Sequence, residues 1–201
     1  MPSTRRMVRG MTKATVLAAL LVLATACGTV EPIEITTTTM TEPTTSDTVA
    51  EEPLPDYGAV KALHEIDGWL QADIASLEEL RGKVVVVQFW TFGCHNCKAT
   101  LDNLKELYAA HAGEDFEVVG IHSPEFDYEK EPDAIAAAAD QLGVSWPIAL
   151  DTKKRTFFAW QGSPAYWPRT YVLDRDGHIR FDHIGEGAYD ELNETVDTLL
   201  G

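Results

Sequence analysis

The chain has 201 residues, of which 45% are hydrophobic, and a formal net charge of -16, with a mean hydropathy of -0.14. This is enough for one domain of ordinary size plus a terminal extension. The acidic excess, with a pI near 4.6, excludes nucleic acid as a partner because a phosphate backbone would be repelled; the rest of the excess reads as a solvated face.

The extension comes first. Arg5, Arg6, Arg9 and Lys13 form a basic head without an acid, and an apolar run follows from Ala14 to the small-residue ending Ala24-Thr25-Ala26. This is the pattern of a secretory signal over residues 1–26, and the run is too short for a comfortable transmembrane helix. Thr4-Arg5-Arg6 carries the arginine pair of a twin-arginine signal without the rest of that pattern. Removing the segment takes away four bases and no acid, which moves the formal charge from -16 to -20. Cys27 follows directly. Signal, cysteine and polar linker together resemble a bacterial lipoprotein, in which that cysteine is lipidated; Ala24 stands where the lipobox has Leu, with Leu23 one place further out. The resemblance implies a lipid tether on the outer face of the cytoplasmic membrane. Plain cleavage, giving a secreted protein with a free Cys27, or an uncleaved anchor, is the alternative. On either reading the domain lies outside the cytoplasm, where paired cysteines oxidise readily.

Residues 27–56 are rich in Thr, Pro and acids. They have too little to bury to offset the entropy of ordering, so a disordered linker is expected. From Tyr57 to Gly201 the composition is globular. Ser76 followed by Leu77-Glu78-Glu79-Leu80 predicts a short helix with a capping box, and Arg81-Gly82-Lys83 a turn. Val84 to Trp90, a β-branched and aromatic run interrupted only by Gln88, predicts a central parallel strand buried on both faces. Lys98 to His111 has Leu101, Leu104 and Tyr108 at helical spacing. Phe116 to Ile121 predicts a strand, Pro132 to Leu142 a helix stopped by Gly143, Trp146 to Leu150 a short strand and Thr156 to Trp160 a helical turn. Tyr171 to Leu173 and His178 to Ile184 flank an Asp-Gly turn and predict a hairpin. Tyr189 to Leu200 predicts a closing helix with Leu192, Val196, Leu199 and Leu200 inward. Alternating strands and helices make an α/β fold with a mixed sheet covered on both sides.

Cys94 and Cys97 lie where the buried strand ends and the helix begins. Unpaired N–H groups and the macrodipole at a helix start stabilise an anion, so a thiolate at Cys94 is favoured below the free value of about 8.5. Cys97, nearly one turn on, is within reach of its sulfur. Cys94 is therefore the candidate nucleophile and Cys97 the candidate resolving thiol of a thiol–disulfide exchange, which can run in either direction. The rival readings are weaker. Zinc wants four ligands, and His64, His111 and His122 are scattered with no second cysteine pair, so no metal site is expected. A copper chaperone of this fold resembles C-x-x-x-C with a distant His, one residue longer. The peroxiredoxin motif shares a threonine three before the cysteine, here Thr91, but has Pro where this chain has Val87. A structural disulfide closing so small a loop would constrain the unfolded chain little.

Phe89-Trp90-Thr91-x-x-Cys94-x-x-Cys97 resembles the thioredoxin active-site segment. Beyond it, FWTFGCHNC, VVGIHSPEFDYEK, YWPRTYVLDRDGHIR and GEGAYDELNETV, in that order, resemble exported TlpA-like proteins, in particular the thioredoxin-like domain of DipZ-type cytochrome c biogenesis proteins. The resemblance spans roughly Trp69 to Gly201. It implies a thioredoxin fold and extracytoplasmic thiol–disulfide exchange without a cofactor. It marks Pro168 as the cis-proline opposite the cysteines, with the backbone of Trp167 pairing with bound peptide; Trp146-Pro147 is the second choice, and a trans Trp167-Pro168 turn the alternative. It also implies an acid near the cysteines at Glu125, as a proton relay to Cys97 or simply a solvent-facing loop acid. His95 and Asn96, between the cysteines, would tune the redox pair, and Trp90 would wall the groove. Four positions depart from the related patterns. Gly93 replaces the Trp of thioredoxin, Asn96 the Pro of its Cys-Gly-Pro-Cys, Gln88 its buried Asp, and Asp102 a helix position that is often Pro in DipZ-like domains.

The expected protein is a membrane-tethered monomeric oxidoreductase. As a reductase it would take electrons from an integral membrane carrier of the CcdA or DsbD type and pass them to apocytochrome c or other exported proteins. A disulfide-inserting oxidase is the alternative within the class. A copper- or haem-handling chaperone using the two cysteines as ligands is the alternative outside it.

Overall fold

The computed structural model describes residues 53–72 and 74–201. The export signal, Cys27 and the linker through residue 52 lie outside the described residues. The elements run β1 (Trp69–Leu70), β2 (Val84–Trp90), α1 (His95–His111), β3 (Phe116–His122), α2 (Pro132–Leu142), β4 (Ile148–Leu150), α3 (Arg155–Gln161), β5 (Arg169–Leu173), β6 (Ile179–Ile184) and α4 (Tyr189–Leu200), with 3-10 turns at Leu77–Leu80 and Asp127–Glu129.

One six-stranded sheet in the order β1-β4-β3-β2-β5-β6 organises the domain. β2 is central and buried at every residue, as its run of β-branched and aromatic residues around a single Gln requires. It is parallel to β3 and antiparallel to β5, so the expectation of a parallel strand holds on one side only. The side chains of β2 divide by parity. Val84, Val86 and Trp90 face a layer formed with α1, α2 and α4 (Leu101, Leu104, Ile135, Leu192, Val196). Val85, Val87 and Phe89 face the opposite layer with Phe157, Trp160, Tyr171 and Leu77. Each such fully buried Val or Phe stabilises the fold by about 1.5–3 kcal/mol. Val87 lies opposite both Val119 and Tyr171 in the ladder, a position where the proline of a peroxiredoxin motif would cost a sheet hydrogen bond.

Two local expectations change, and one element is added. The segment after Ser76 is a single 3-10 turn, and the Ser76 side chain makes no capping bond; its carbonyl, not its hydroxyl, accepts the Glu79 N–H. The Thr156 turn is a full α-helix, because the buried Asp151 carboxylate takes the amides of Thr156 and Phe157 and so satisfies two otherwise unpaired N–H groups of its first turn. The two residues of β1 pair with β4, and a strand that short leaves no periodicity to read. At the start of the described region, Asp56 is held by His178 and Arg180 and the Tyr57 amide donates to the Ile179 carbonyl.

Candidate active site

β2 and β3 run in parallel, and both end at the same edge of the sheet, with Trp90 opposite His122. In an open α/β sheet this carboxyl edge is where sites form. The chain leaves β2 through Thr91, Phe92 and Gly93 and enters α1 at Cys94, the N-cap residue, with extended dihedrals. Cys94 and Cys97 are joined in a disulfide, with Cα atoms 5.2 Å apart. The Cys94 sulfur accepts the Cys97 amide at 3.1 Å, an N–H that would otherwise be unpaired in the first helical turn. Cys94 is half-buried whereas Cys97 is fully buried. His95 and Asn96 are exposed on the first turn of α1.

Beneath Cys97 runs a polar chain. The Thr100 hydroxyl donates to the Cys97 carbonyl at 2.7 Å and accepts from Gln88 Nε2 at 2.8 Å. Gln88 is thus a neutral donor at the place of thioredoxin's acid, and its 1% exposure matters because an unpaired amide there would be costly.

The Trp167–Pro168 bond is cis; Trp146–Pro147 is not among the cis bonds, whereas Ser163–Pro164 is. Arg169 pairs with Phe89, so the Trp167–Pro168 segment lies beside the exit of β2. The Trp167 ring stacks on Phe157 at 4.2 Å, and its indole donates to the Ser123 carbonyl at 2.8 Å. Ser123 in turn takes the Trp90 carbonyl through its amide and the Asp151 carboxylate through its hydroxyl. Burial pushes the Asp151 carboxyl up despite the amides it accepts. Trp90 is only 1% exposed and backs the site from inside the core; it presents no surface to a substrate.

The loop after β3 separates an exposed acid from a buried one. Glu125 is exposed, a solvent-facing acid and not a partly buried one. Four residues on, Glu129 is 0% exposed. Its Oε1 accepts the Gly93 amide at 2.8 Å, and its Oε2 accepts the amides of Glu125 and Phe126 at 2.7 and 2.8 Å. The same contact explains Gly93. A Cβ at that position would overlap the Glu129 carboxylate and lie 2.6 Å from the Tyr128 hydroxyl, so the Glu129–Tyr128 pair occupies space that a larger side chain would need. A glycine where the related pattern has a tryptophan was the sequence signal that some other group fills this place. Next to it, His122 is fully buried, sits 3.2 Å from the Thr91 hydroxyl through Nε2 and stacks on Phe92 at 5.6 Å. Burial pushes its pKa down to about 4, so the ring is neutral at pH 7. Among the described residues no group of three or more His, Cys, Asp or Glu is arranged to hold a metal ion, and no helix is long and apolar enough to cross a membrane.

Comparison with known proteins agrees with this geometry. Residues 56–182 match the AhpC/TSA family. Protein DipZ of Mycobacterium tuberculosis is 36% identical over 150 residues, covering 73% of this chain and 21% of DipZ, so the chain spans about a fifth of the length of that relative. Thiol-disulfide oxidoreductase YkuV of Bacillus subtilis is 24% identical over 149 residues, covering 74% of this chain and 95% of YkuV. The crystal structure of the thioredoxin-like superfamily protein SPOA0173 superposes with a TM-score of 0.64 at 24% identity, over 71% of this chain and 96% of that one. The chain belongs to the AhpC/TSA family, and it joins a thioredoxin-like fold to a disulfide-forming cysteine pair at the head of α1.

Proposed function

We propose that the protein is an extracytoplasmic, membrane-tethered reductase of disulfides in exported proteins, with Cys94 as nucleophile and Cys97 as resolving thiol. The observation that carries this reading is the unequal exposure of the pair: Cys94 is half-buried at the helix N-cap and Cys97 fully buried behind it. An incoming disulfide therefore meets Cys94 first. In the reduced protein the Cys94 thiolate attacks one sulfur of the partner's disulfide, forming a mixed disulfide and releasing one partner thiolate. Cys97, as thiolate, then attacks Cys94, closing the Cys94–Cys97 disulfide and releasing the second. Two electrons and two protons pass in total to the partner, and a dithiol carrier must restore the pair.

The N–H and carbonyl of Trp167 have no hydrogen-bond partner among the described residues. They are suited to pair with an extended segment of the substrate lying across Cys94. His95 and Asn96, exposed between the cysteines, are the positions at which the redox potential is open to tuning. The tether rests on the signal and Cys27. Apocytochrome c as target and a CcdA- or DsbD-type carrier as electron source rest on the likeness to DipZ-type proteins.

The test is full-length Cys97→Ala expressed in an exporting bacterium and fractionated. Mixed disulfides through Cys94 are expected with exported proteins, in the membrane fraction. Their absence there, or their persistence when Cys94 is also replaced, overturns the reading. A potential near that of thioredoxin (about -270 mV) marks the reductase, and one near that of DsbA (about -120 mV) the oxidase.

A further inference from the structure

We infer that Glu129 is a positioning residue whose buried negative charge poises the Cys94–Cys97 couple toward reduction of its partners. The inference rests on the exchange reading above and addresses the direction in which the electrons flow.

The first ground is placement. A carboxylate oxygen 2.8 Å from the Gly93 amide is, by backbone dimensions, at most about 8 Å from the Cα of Cys94, and no bulk water lies over a side chain that is 0% exposed. Charges at that range act on each other strongly when solvent does not screen them. The second ground is the partner set. All three hydrogen bonds to Glu129 come from backbone amides, so no cation stands among its hydrogen-bond partners. His122, the nearest buried base, is neutral at pH 7 and cancels nothing.

The consequence follows from the chemistry of the couple. Reduction of the disulfide by two electrons produces thiolate at Cys94, and a fixed anion nearby makes that thiolate less favourable. The reduced pair is destabilised relative to the disulfide, so it gives up its electrons more readily. The helix N-terminus works the other way, and Glu129 offsets part of that stabilisation. Both oxygens must be acceptors. An amide at position 129 would set an N–H₂ against either Gly93 or the Glu125–Phe126 pair.

The experiment is the equilibrium of the purified full-length protein with glutathione, for wild type, Glu129→Gln and Glu129→Asp. Glu129→Gln is expected to shift the constant about tenfold toward the reduced protein, which corresponds to about 30 mV for a two-electron couple, and to speed alkylation of Cys94 at neutral pH. Glu129→Asp keeps the charge and is expected to stay within about threefold of wild type even where its Tm falls. An unchanged constant in Glu129→Gln, a shift toward the oxidised protein, or an equal shift in both variants overturns the inference. These outcomes are read as a constant, so they remain distinct from failure of the exchange reading, in which the wild type itself forms no mixed disulfide.

Discussion

Replacing Gly93 by Ala tests the junction between the cysteine loop and Glu129 with a single methyl group. The backbone at Gly93 is not in the left-handed region, so alanine is conformationally acceptable and only sterics oppose it. The new Cβ overlaps the Glu129 carboxylate and comes within 2.6 Å of the Tyr128 hydroxyl. The carboxylate must therefore withdraw from the Gly93 amide, which it now meets at 2.8 Å. Losing a hydrogen bond to a charged group costs about 1.5–3 kcal/mol, and overpacking a filled site costs about 1–3 kcal/mol. A total near 3 kcal/mol is expected, or a fall in Tm of roughly 6–12 °C for a domain of this size. The assay is urea or thermal unfolding of the oxidised protein, with Gly113→Ala as control, since a Cβ there approaches only the His111 carbonyl, at 3.9 Å. If Gly93→Ala unfolds within about 0.5 kcal/mol of wild type, the packing argument for this glycine fails.

Two further outcomes are expected. His122 has a folded pKa of about 4, below its ordinary 6.5, because burial disfavours the charged ring; its contribution to stability is complete above pH 6.5 and is lost as pH falls toward 4. At about 1.4 kcal/mol per pH unit this amounts to roughly 3 kcal/mol, so unfolding free energy measured from pH 7 to pH 4 should decline in wild type and flatten over that window in His122→Phe. Trp167→Ala removes the stack on Phe157 and the bond to the Ser123 carbonyl; for a half-buried ring the cost in stability is about 2 kcal/mol, and the KM for a protein disulfide should rise several-fold while the potential of the cysteine couple stays put. A potential that moves with Trp167 would count against a purely substrate-facing role.

The site divides along a physical line between local and long-range causes. Val84–Trp90 could be recognised as a buried central strand because six of its seven consecutive residues are β-branched or aromatic and carry that information in themselves. Cys94 could be placed at a helix start because the apolar run, the small residues and the helical spacing of Leu101 and Leu104 are contiguous. The end of α2 at Gly143 and the β5–β6 hairpin were legible for the same reason, since caps and turns are encoded within a few residues. Glu129 was not. Glu125, Asp127 and Glu129 are three acids within five positions of one loop, and nothing local distinguishes them. The 3-10 turn at Asp127–Glu129 and the approach of Gly93, 36 positions away in sequence, bury one carboxylate and leave Glu125 in solvent. The antiparallel side of β2 likewise depended on β5 returning beside it from more than 80 residues downstream. Sequence alone determined the cysteine pair and its helix, because a thiol and its helix dipole are neighbours along the chain. Only the tertiary structure decided which acid stands beside that pair, because burial of a charge is settled by what the rest of the fold brings against it.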